Sequence, residues 1–247
     1  MHEVHDASSS APKLSIVIPG LNEAESIPEL TRGIHETLRG ELQYEVVFVD
    51  DGSTDDTWKV IEDLHRQDPV VRGVRLRANF GKATALVAGF EHARGEILMM
   101  MDADLQDDPK EIPKFLEKLE EGADLVVGWK VDRLDAQNRL VLSRIFNTIV
   151  GLVTKVKLHD MNCGFKAFRR EVVDNIHIYG DQFRFIPVLA AAKGFCVAEV
   201  PVHHHARKYG ASRYGLERIL RGFFDLLTVF FLTRYARQPM HFFGLPG

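Results

Sequence analysis

Cysteine is scarce. The 247-residue chain has only Cys163 and Cys196, which form no close-spaced pair. That argues against a disulfide framework; a chain of this size needs no cross-link to fold, so a reducing cytosolic setting fits. Long apolar runs are lacking as well. No stretch reaches the roughly 18 to 20 apolar residues that a membrane-spanning helix needs, and the nearest approach, Phe223 to Leu232, is interrupted by Asp225. The amino-terminal MHEVHDASSSAPK has neither the basic start nor the apolar core of a secretory signal, and residues 1–12 read as a disordered lead-in. There is no internal repeat, no low-complexity tract and no G-x-x-x-x-G-K-[ST], which argues against a P-loop phosphotransferase. A broad basic face is lacking too. The net charge is −4, yet residues 207–237 hold seven Lys/Arg against Glu217 and Asp225, so an acidic body carries a basic, strongly apolar tail. Nucleic-acid binding finds little support in that distribution.

What is present is regular. The hydrophobic content of 45% is that of an ordinary globular domain. From Leu14 onward short β-rich runs alternate with helical patterns: LSIVIP (14–19), a helix on Ile27, Leu30, Ile34 and Leu38, YEVVFVD (44–50), a helix through Trp58, Ile61 and Leu64, VRGVRL (71–76), a helix on Ala83, Leu86, Val87 and Phe90, then EILMMMD (96–102). Asp108, Pro109 and Glu111 form a capping pattern before Ile112, Phe115, Leu116 and Leu119, and ADLVVGW (123–129) follows. A long helix over about 138–154, the loop HDMNCG, a strand FKAFR, a helical FRFIPVLAAAKG and a strand CVAEVPV complete the body. Near-continuous apolar strands separated by amphipathic helices predict an α/β fold with a doubly wound, mainly parallel sheet flanked by helices. Ligands bind such sheets at the carboxyl ends of the strands, which places PGLNE, DDGSTDD and DADLQ on one rim.

The rim is crowded with carboxylates. If the strand conformation persists to residue 104, Asp102 and Asp104 point the same way with Ala103 between them. With the amide oxygen of Gln106 they suit a hard divalent cation, Mg²⁺ or Mn²⁺. Asp-rich loops also serve as turns and caps; Asp108 and Asp55 are better explained as helix caps. Asp50, Asp51, Asp55 and Asp56 end another strand on the same rim, and so many converging carboxylates repel one another without a cation. His203, His204 and His205 cannot all ligate one ion from an extended segment and read as surface residues. Cys163 and Cys196 read as packing residues.

VIPGLNEAES, VVFVDDGSTDDT, NFGKATALVAGFEHARGE and MMMDADLQDDP, in that order, closely resemble the GT-A-fold family-2 glycosyltransferases. The blocks VVGWKVDR, NRLVLSR, HDMNCGFKAFRR and HARKYGASRYG resemble the branch that transfers sugars to polyprenyl phosphates, as dolichol-phosphate mannose synthases and bacterial undecaprenyl-phosphate glycosyltransferases do. The resemblance implies a GT-A catalytic domain over 13–205 and a phosphate-closing loop with a basic amphipathic helical tail over 206–247. It assigns Pro19, Leu21, Glu23, Val49 and Asp51 to the nucleoside, and Asp102, Ala103, Asp104 and Gln106 to the diphosphate and metal. Lys130 stands where the branch usually has an arginine on the phosphates, keeping the charge but losing the bidentate fork. Arg139 and Ser143, one helical turn apart, match the pair that holds the acceptor phosphate, and Arg207 and Arg213 match the closing loop. Asp160 is the candidate base; it is little needed, because a phosphate monoester is already largely anionic near neutrality, with a second pKa of about 6.

The implied activity is an inverting, metal-dependent transfer of a hexose, mannose or glucose, from a GDP- or UDP-sugar to dolichyl or undecaprenyl phosphate. The tail RILRGFFDLLTVFFLTRYAR, flanked by Arg218, Arg221, Arg234 and Arg237, reads either as a helix in the membrane interface or as a terminal helix packed on the core. A lipid acceptor favours the first, and with it the cytoplasmic face of a membrane, held peripherally or through a further carboxyl-terminal transmembrane part. The same apolar surface could serve a homo-oligomer. Two other readings stand beside this one: a family-2 transferase with a non-lipid acceptor, and a catalytically silent nucleotide-sugar binding protein at the membrane.

Overall fold

The computed structural model of the chain describes residues 2–4, 11–131, 151, 156, 158–176, 180–206, 208, 228 and 231. Eight strands form one sheet: β1 (His2–Val4), β2 (Leu14–Gly20), β3 (Tyr44–Asp50), β4 (Val71–Arg75), β5 (Ile97–Met100), β6 (Leu125–Lys130), β7 (Lys166–Arg169) and β8 (Val197–Val202). Their order across the sheet is β1-β4-β3-β2-β5-β7-β6-β8. The pairs β2–β3, β3–β4, β2–β5 and β6–β8 are parallel, whereas β1 and β7 pair antiparallel with their neighbours. The helices are α1 (Ile27–Leu38), α2 (Thr57–Gln67), α3 (Lys82–His92), α4 (Ile112–Glu120), α5 (Arg170–Asn175) and α6 (Ile186–Ala192).

The apolar patterns explain these elements. Leu14, Ile16, Val17 and Ile18 of β2, Val46 to Val49 of β3 and Leu98 to Met100 of β5 are all fully buried, as expected of parallel strands covered on both faces. In α1 the buried residues Ile27, Leu30, Thr31, Ile34 and Leu38 trace one stripe of a 3.6-residue helix. Asp108 caps the turn before α4 by accepting a hydrogen bond from the Lys110 N–H at 3.0 Å, with Pro109 next in line. Asp55 likewise caps α2, its Oδ1 accepting from the Thr57 N–H at 3.0 Å.

Several expectations are corrected. β5 stops at Met100, so Asp102 and Asp104 do not share a face by strand alternation. Leu105 takes φ +60°, and the chain turns instead. FKAFR forms β7, inserted antiparallel between β5 and β6, and a short helix, α5, follows it. FRFIPVLAAAKG splits into a 3-10 turn (Gly180–Phe185) and α6, with Pro187 in the first turn. The amino-terminal lead-in contains β1. The helix expected over about 138–154 and nearly all of the tail lie outside the described residues. No helix among the described residues is long and apolar enough to cross a membrane.

Two features place the site. The chain runs outward from β2 to β3 to β4, then crosses back so that β5 lies on the other side of β2. The crevice outside the carboxyl ends of β2 and β5 is therefore the topological switch point, where ligands bind in open α/β sheets. At the opposite, amino edge, Glu45 accepts from the Ser15 hydroxyl at 2.6 Å, the Arg94 N–H at 2.6 Å and the Arg72 guanidinium at 2.7 Å. Arg72 also donates to the His92 carbonyl at 2.8 Å, and Ser15 Oγ accepts from the Gly95 N–H at 2.7 Å. The network fixes the α3–β5 turn, and so the start of β5.

Both charges of that network are buried. Removing one leaves the other uncompensated, a change that typically costs about 3–5 kcal/mol. Glu45→Ala should lower unfolding stability by about that amount in urea titrations; a loss under about 1 kcal/mol would remove the network from its structural role.

Candidate functional site

The first two loops of the rim are fastened together. The Asp51 N–H donates to the Gly20 carbonyl at 2.9 Å, the Asn22 N–H to Ser53 Oγ at 2.9 Å, the Thr54 N–H to Asn22 Oδ1 at 2.9 Å and the Glu23 N–H to Thr57 Oγ1 at 2.8 Å. Pro19 and Leu21 are half-buried beside them, and Glu23 accepts from the Ser26 hydroxyl at 2.9 Å. The Val49 side chain is buried in the core, as is that of Ala103, which packs beside Gly20, so these two reach the rim through backbone. Asp51 is buried; burial pushes its pKa up, opposed by hydrogen bonds from the Phe80 and Gly81 N–H groups at 2.8 and 2.9 Å.

The turn after β5 gathers the charge. Asp102 is half-buried and ion-paired with the Lys82 ammonium. Burial works to raise its pKa, but Lys82, with Lys130 and Lys166, outweighs it and holds the carboxyl below its usual range. Asp104 is buried and accepts from the Gln106 N–H at 3.1 Å, closing the turn. Asp107 is buried too; its pKa is pushed up to about 6, chiefly by burial, with Asp102 and Asp104 adding and Lys130 and Lys82 opposing. Its Oδ1 has no hydrogen-bond partner.

Lysines from three elements answer these acids. Lys82 opens α3 and Lys130 ends β6. Burial disfavours the Lys130 charge, but Asp107, Asp160 and Asp102 more than restore it and raise its pKa. Lys166 on β7 is 1% exposed, donates to the Cys163 carbonyl, and is pulled down to about 8 by burial. Asp160 is also 1% exposed, on a loop held by Glu199, whose Oε1 accepts from the His159 N–H at 2.7 Å. The His159 ring is 2.9 Å from Glu199 Oε2 and stacks on Trp129 at 4.1 Å. The same loop brings Gly164 against Asp102: a Cβ there would lie 2.9 Å from Asp102 Oδ2.

The histidine segment closes the far side. His204 bridges Asp107, the His205 N–H donates to the Gln106 carbonyl at 2.8 Å, and the Gln106 amide donates back to the His205 carbonyl at 3.3 Å. The His205 ring is 3.2 Å from Asp108 Oδ2.

The structure thus brings Asp102, Asp104, Gln106, Lys130 and Asp160 together, with Pro19, Leu21, Glu23 and Asp51, expected from the resemblance to serve a nucleoside, on the adjoining loops. Arg139, Ser143, Arg207 and Arg213 lie outside the described residues. Lys82, Asp107 and Lys166 join the site without a motif of their own in the sequence; for Lys166 the available signal is a lysine inside the strand run FKAFR. Among the described residues no three His, Cys, Asp or Glu side chains form a full metal cage. The oxygen donors still fit a hard cation that takes one or two protein carboxylates and completes its shell with water and phosphate oxygens, and the orphaned Asp107 oxygen sits beside them. Cys163 is buried, its thiol pushed up to about 12 by burial, whereas Cys196 is exposed rather than packed.

Comparison with known proteins identifies the family. The sequence profile of Glycosyl transferase family 2 matches residues 15–176. The dodecaprenyl-phosphate galacturonate synthase of Rhizobium johnstonii is 39% identical over 95% of this chain and 71% of its own length. An undecaprenyl-phosphate 4-deoxy-4-formamido-L-arabinose transferase of Enterobacter sp. is 36% identical over 94% and 71%. In fold, the chain is similar to glucosyl-3-phosphoglycerate synthase from Mycobacterium tuberculosis in complex with Mn²⁺, UDP and glucosyl-3-phosphoglycerate, with TM-score 0.68 and 19% identity over 90% and 80% of the two chains. It is also similar to the mannosyltransferase PcManGT from Pyrobaculum calidifontis with GDP-Man and Mn²⁺, with TM-score 0.65 and 22% identity over 91% and 64%.

Two outcomes follow from the packing. Gly164→Ala should displace the Asp102 carboxylate and weaken Mn²⁺ binding several-fold, read by electron paramagnetic resonance, while the far-ultraviolet circular dichroism stays native; unchanged Mn²⁺ affinity would count against Asp102 as a ligand. In the native protein a thiol reagent should label Cys196 and spare Cys163 until denaturant is added, as peptide mass spectrometry would show.

Proposed function

Since the chain belongs to Glycosyl transferase family 2 and has the GT-A fold, we propose that it transfers a sugar from a nucleotide-sugar to a polyprenyl phosphate with inversion at the anomeric carbon. The observation that carries the reading is the convergence at the switch point of three lysines, Lys82, Lys130 and Lys166, among the acids Asp102, Asp104, Asp107 and Asp160. A diphosphate leaving group needs such positive charge, and the aligned loops beside it suit a nucleoside. The two curated relatives are both named for polyprenyl-phosphate sugars, which favours the lipid acceptor. Their sugars, a galacturonate and a modified arabinose, widen the donor class beyond the mannose or glucose read from sequence.

The step is a single displacement. An acceptor phosphate oxygen forms the new bond to the anomeric carbon as the bond to the diphosphate oxygen breaks, and the nucleoside diphosphate leaves with the electron pair. Pro19, Leu21 and Glu23, with the backbone of Val49, hold the nucleoside, Asp51 serves it by fixing the Phe80–Gly81 turn, and the backbone of Ala103 lies with the diphosphate. Lys130, with Arg207 and Arg213 of the closing loop, neutralises the phosphates. Arg139 and Ser143 hold the acceptor phosphate. When bound, Mg²⁺ or Mn²⁺ on Asp102, Asp104 and Gln106 supplies charge to the leaving group. Asp160, deeply buried, supports the charges of Lys130 and Lys166, and as the candidate base it is little needed because the acceptor phosphate is already largely anionic. The catalysis rests on positioning and charge neutralisation. The basic, apolar composition of residues 206–247 supports a site at the cytoplasmic face of a membrane.

The test is transfer of radiolabelled sugar from a panel of UDP- and GDP-sugars, uronic acids included, to undecaprenyl and dolichyl phosphate with Mg²⁺, Mn²⁺ or EDTA. Label should enter the lipid phase with one donor and vanish with EDTA, and Asp104→Ala should lose about 100-fold or more in rate. Label in a water-soluble acceptor would reassign the acceptor, and metal-dependent nucleotide binding without turnover would make the chain a binding protein.

A further inference from the structure

Among the described residues two large apolar side chains are exposed, Phe80 at 61% and Val131 at 51%. An isolated exposed aromatic is ordinary on a protein surface. Phe80 differs in its mounting. Its N–H is held at 2.8 Å by Asp51 Oδ1 while Asp51 Oδ2 holds the next N–H, that of Gly81, at 2.9 Å. Asp51 is itself buried and tied through its own N–H to the end of β2. From the other side Gly52 presses on the segment: a Cβ at Gly52 would lie 2.4 Å from the Ala78 carbonyl carbon, so no larger residue fits. The turn that exposes Phe80 is thus bolted to the ends of β2 and β3.

Two residues further on, Lys82 reaches Asp102 at the end of β5. One short segment therefore spans from Asp51 to Asp102, the two points to which the proposed function gives the nucleoside and the diphosphate, and Phe80 stands at the Asp51 end. Resting on that reading, we infer that Phe80 is the platform on which the nucleobase of the donor stacks. A ring on a pinned backbone has only its two side-chain torsions to settle on binding, and every base has a π-face to offer it. The buried carboxylate of Asp51 then acts through Phe80, as a positioning residue that keeps the ring at the rim. Because stacking is tolerant of base identity, the platform serves a uridine or a guanosine donor alike; the choice between them falls to the other rim residues.

The test is isothermal titration of the full chain with UDP, GDP and inorganic pyrophosphate, each with Mn²⁺. Phe80→Ala should weaken the nucleotide that the wild type binds by about tenfold. It should leave pyrophosphate affinity within about twofold and the melting temperature unchanged, since the ring is exposed and pyrophosphate carries no base. Phe80→Trp should restore nucleotide affinity. Equal nucleotide affinity in Phe80→Ala and wild type, or a parallel loss for pyrophosphate, overturns the platform alone. A wild type that binds pyrophosphate but neither nucleotide overturns the donor reading and the platform with it.

Discussion

Charge balance in a half-dry cleft is the constraint on which the rest of this structure depends. Carboxylates at the end of β5 cannot be brought together in low dielectric unless cations are brought with them. Here the cations arrive from three separate elements: Lys82 from the start of α3, Lys130 from the end of β6 and Lys166 from β7. Each needs its helix or strand in register to reach Asp102, Asp107 or Asp160. The site is therefore assembled by the whole sheet, and the sheet's unusual antiparallel β7 has a reason to lie where it does: it delivers a buried lysine opposite Met100, beside the turn.

Much of the fold is legible in the sequence because it rests on local periodicity. The strands β2, β3 and β4 and the helices α1, α2 and α3 announce themselves by runs and stripes that the structure turns toward the core, fully in α1 and only in part at Trp58 and Leu64 of α2 and Val87 of α3. Legibility ends where geometry becomes non-local. An apolar run does not reveal which strands will neighbour it, so β7 reads as one more strand rather than as an antiparallel insert. Nor does Met99-Met100-Met101 reveal where extended backbone stops; the positive φ of Leu105 bends the D-x-D turn, so its carboxylates gather by a turn and not by alternation.

The site shows the same division. Residue types in motif order locate the rim, yet they do not distinguish side chains that face a ligand from those that hold the mount. Val49 and Ala103 lie in the core, and Asp51 is committed to two backbone N–H groups. Two of the three consecutive histidines, His204 and His205, bland as a metal motif, are the stem that grips Gln106 and Asp107 from the far side. In sequence that stem is followed at once by the basic tail.

The network of Glu45, Ser15, Arg72 and Arg94 at the amino edge of the sheet has an evolutionary consequence. It secures the strands from the end opposite the rim, with polar partners that no rim residue contributes. Changes among the rim loops are thereby insulated from the stability of the scaffold. A lineage built on this frame can drift from one sugar or acceptor to another while its folding remains under separate control.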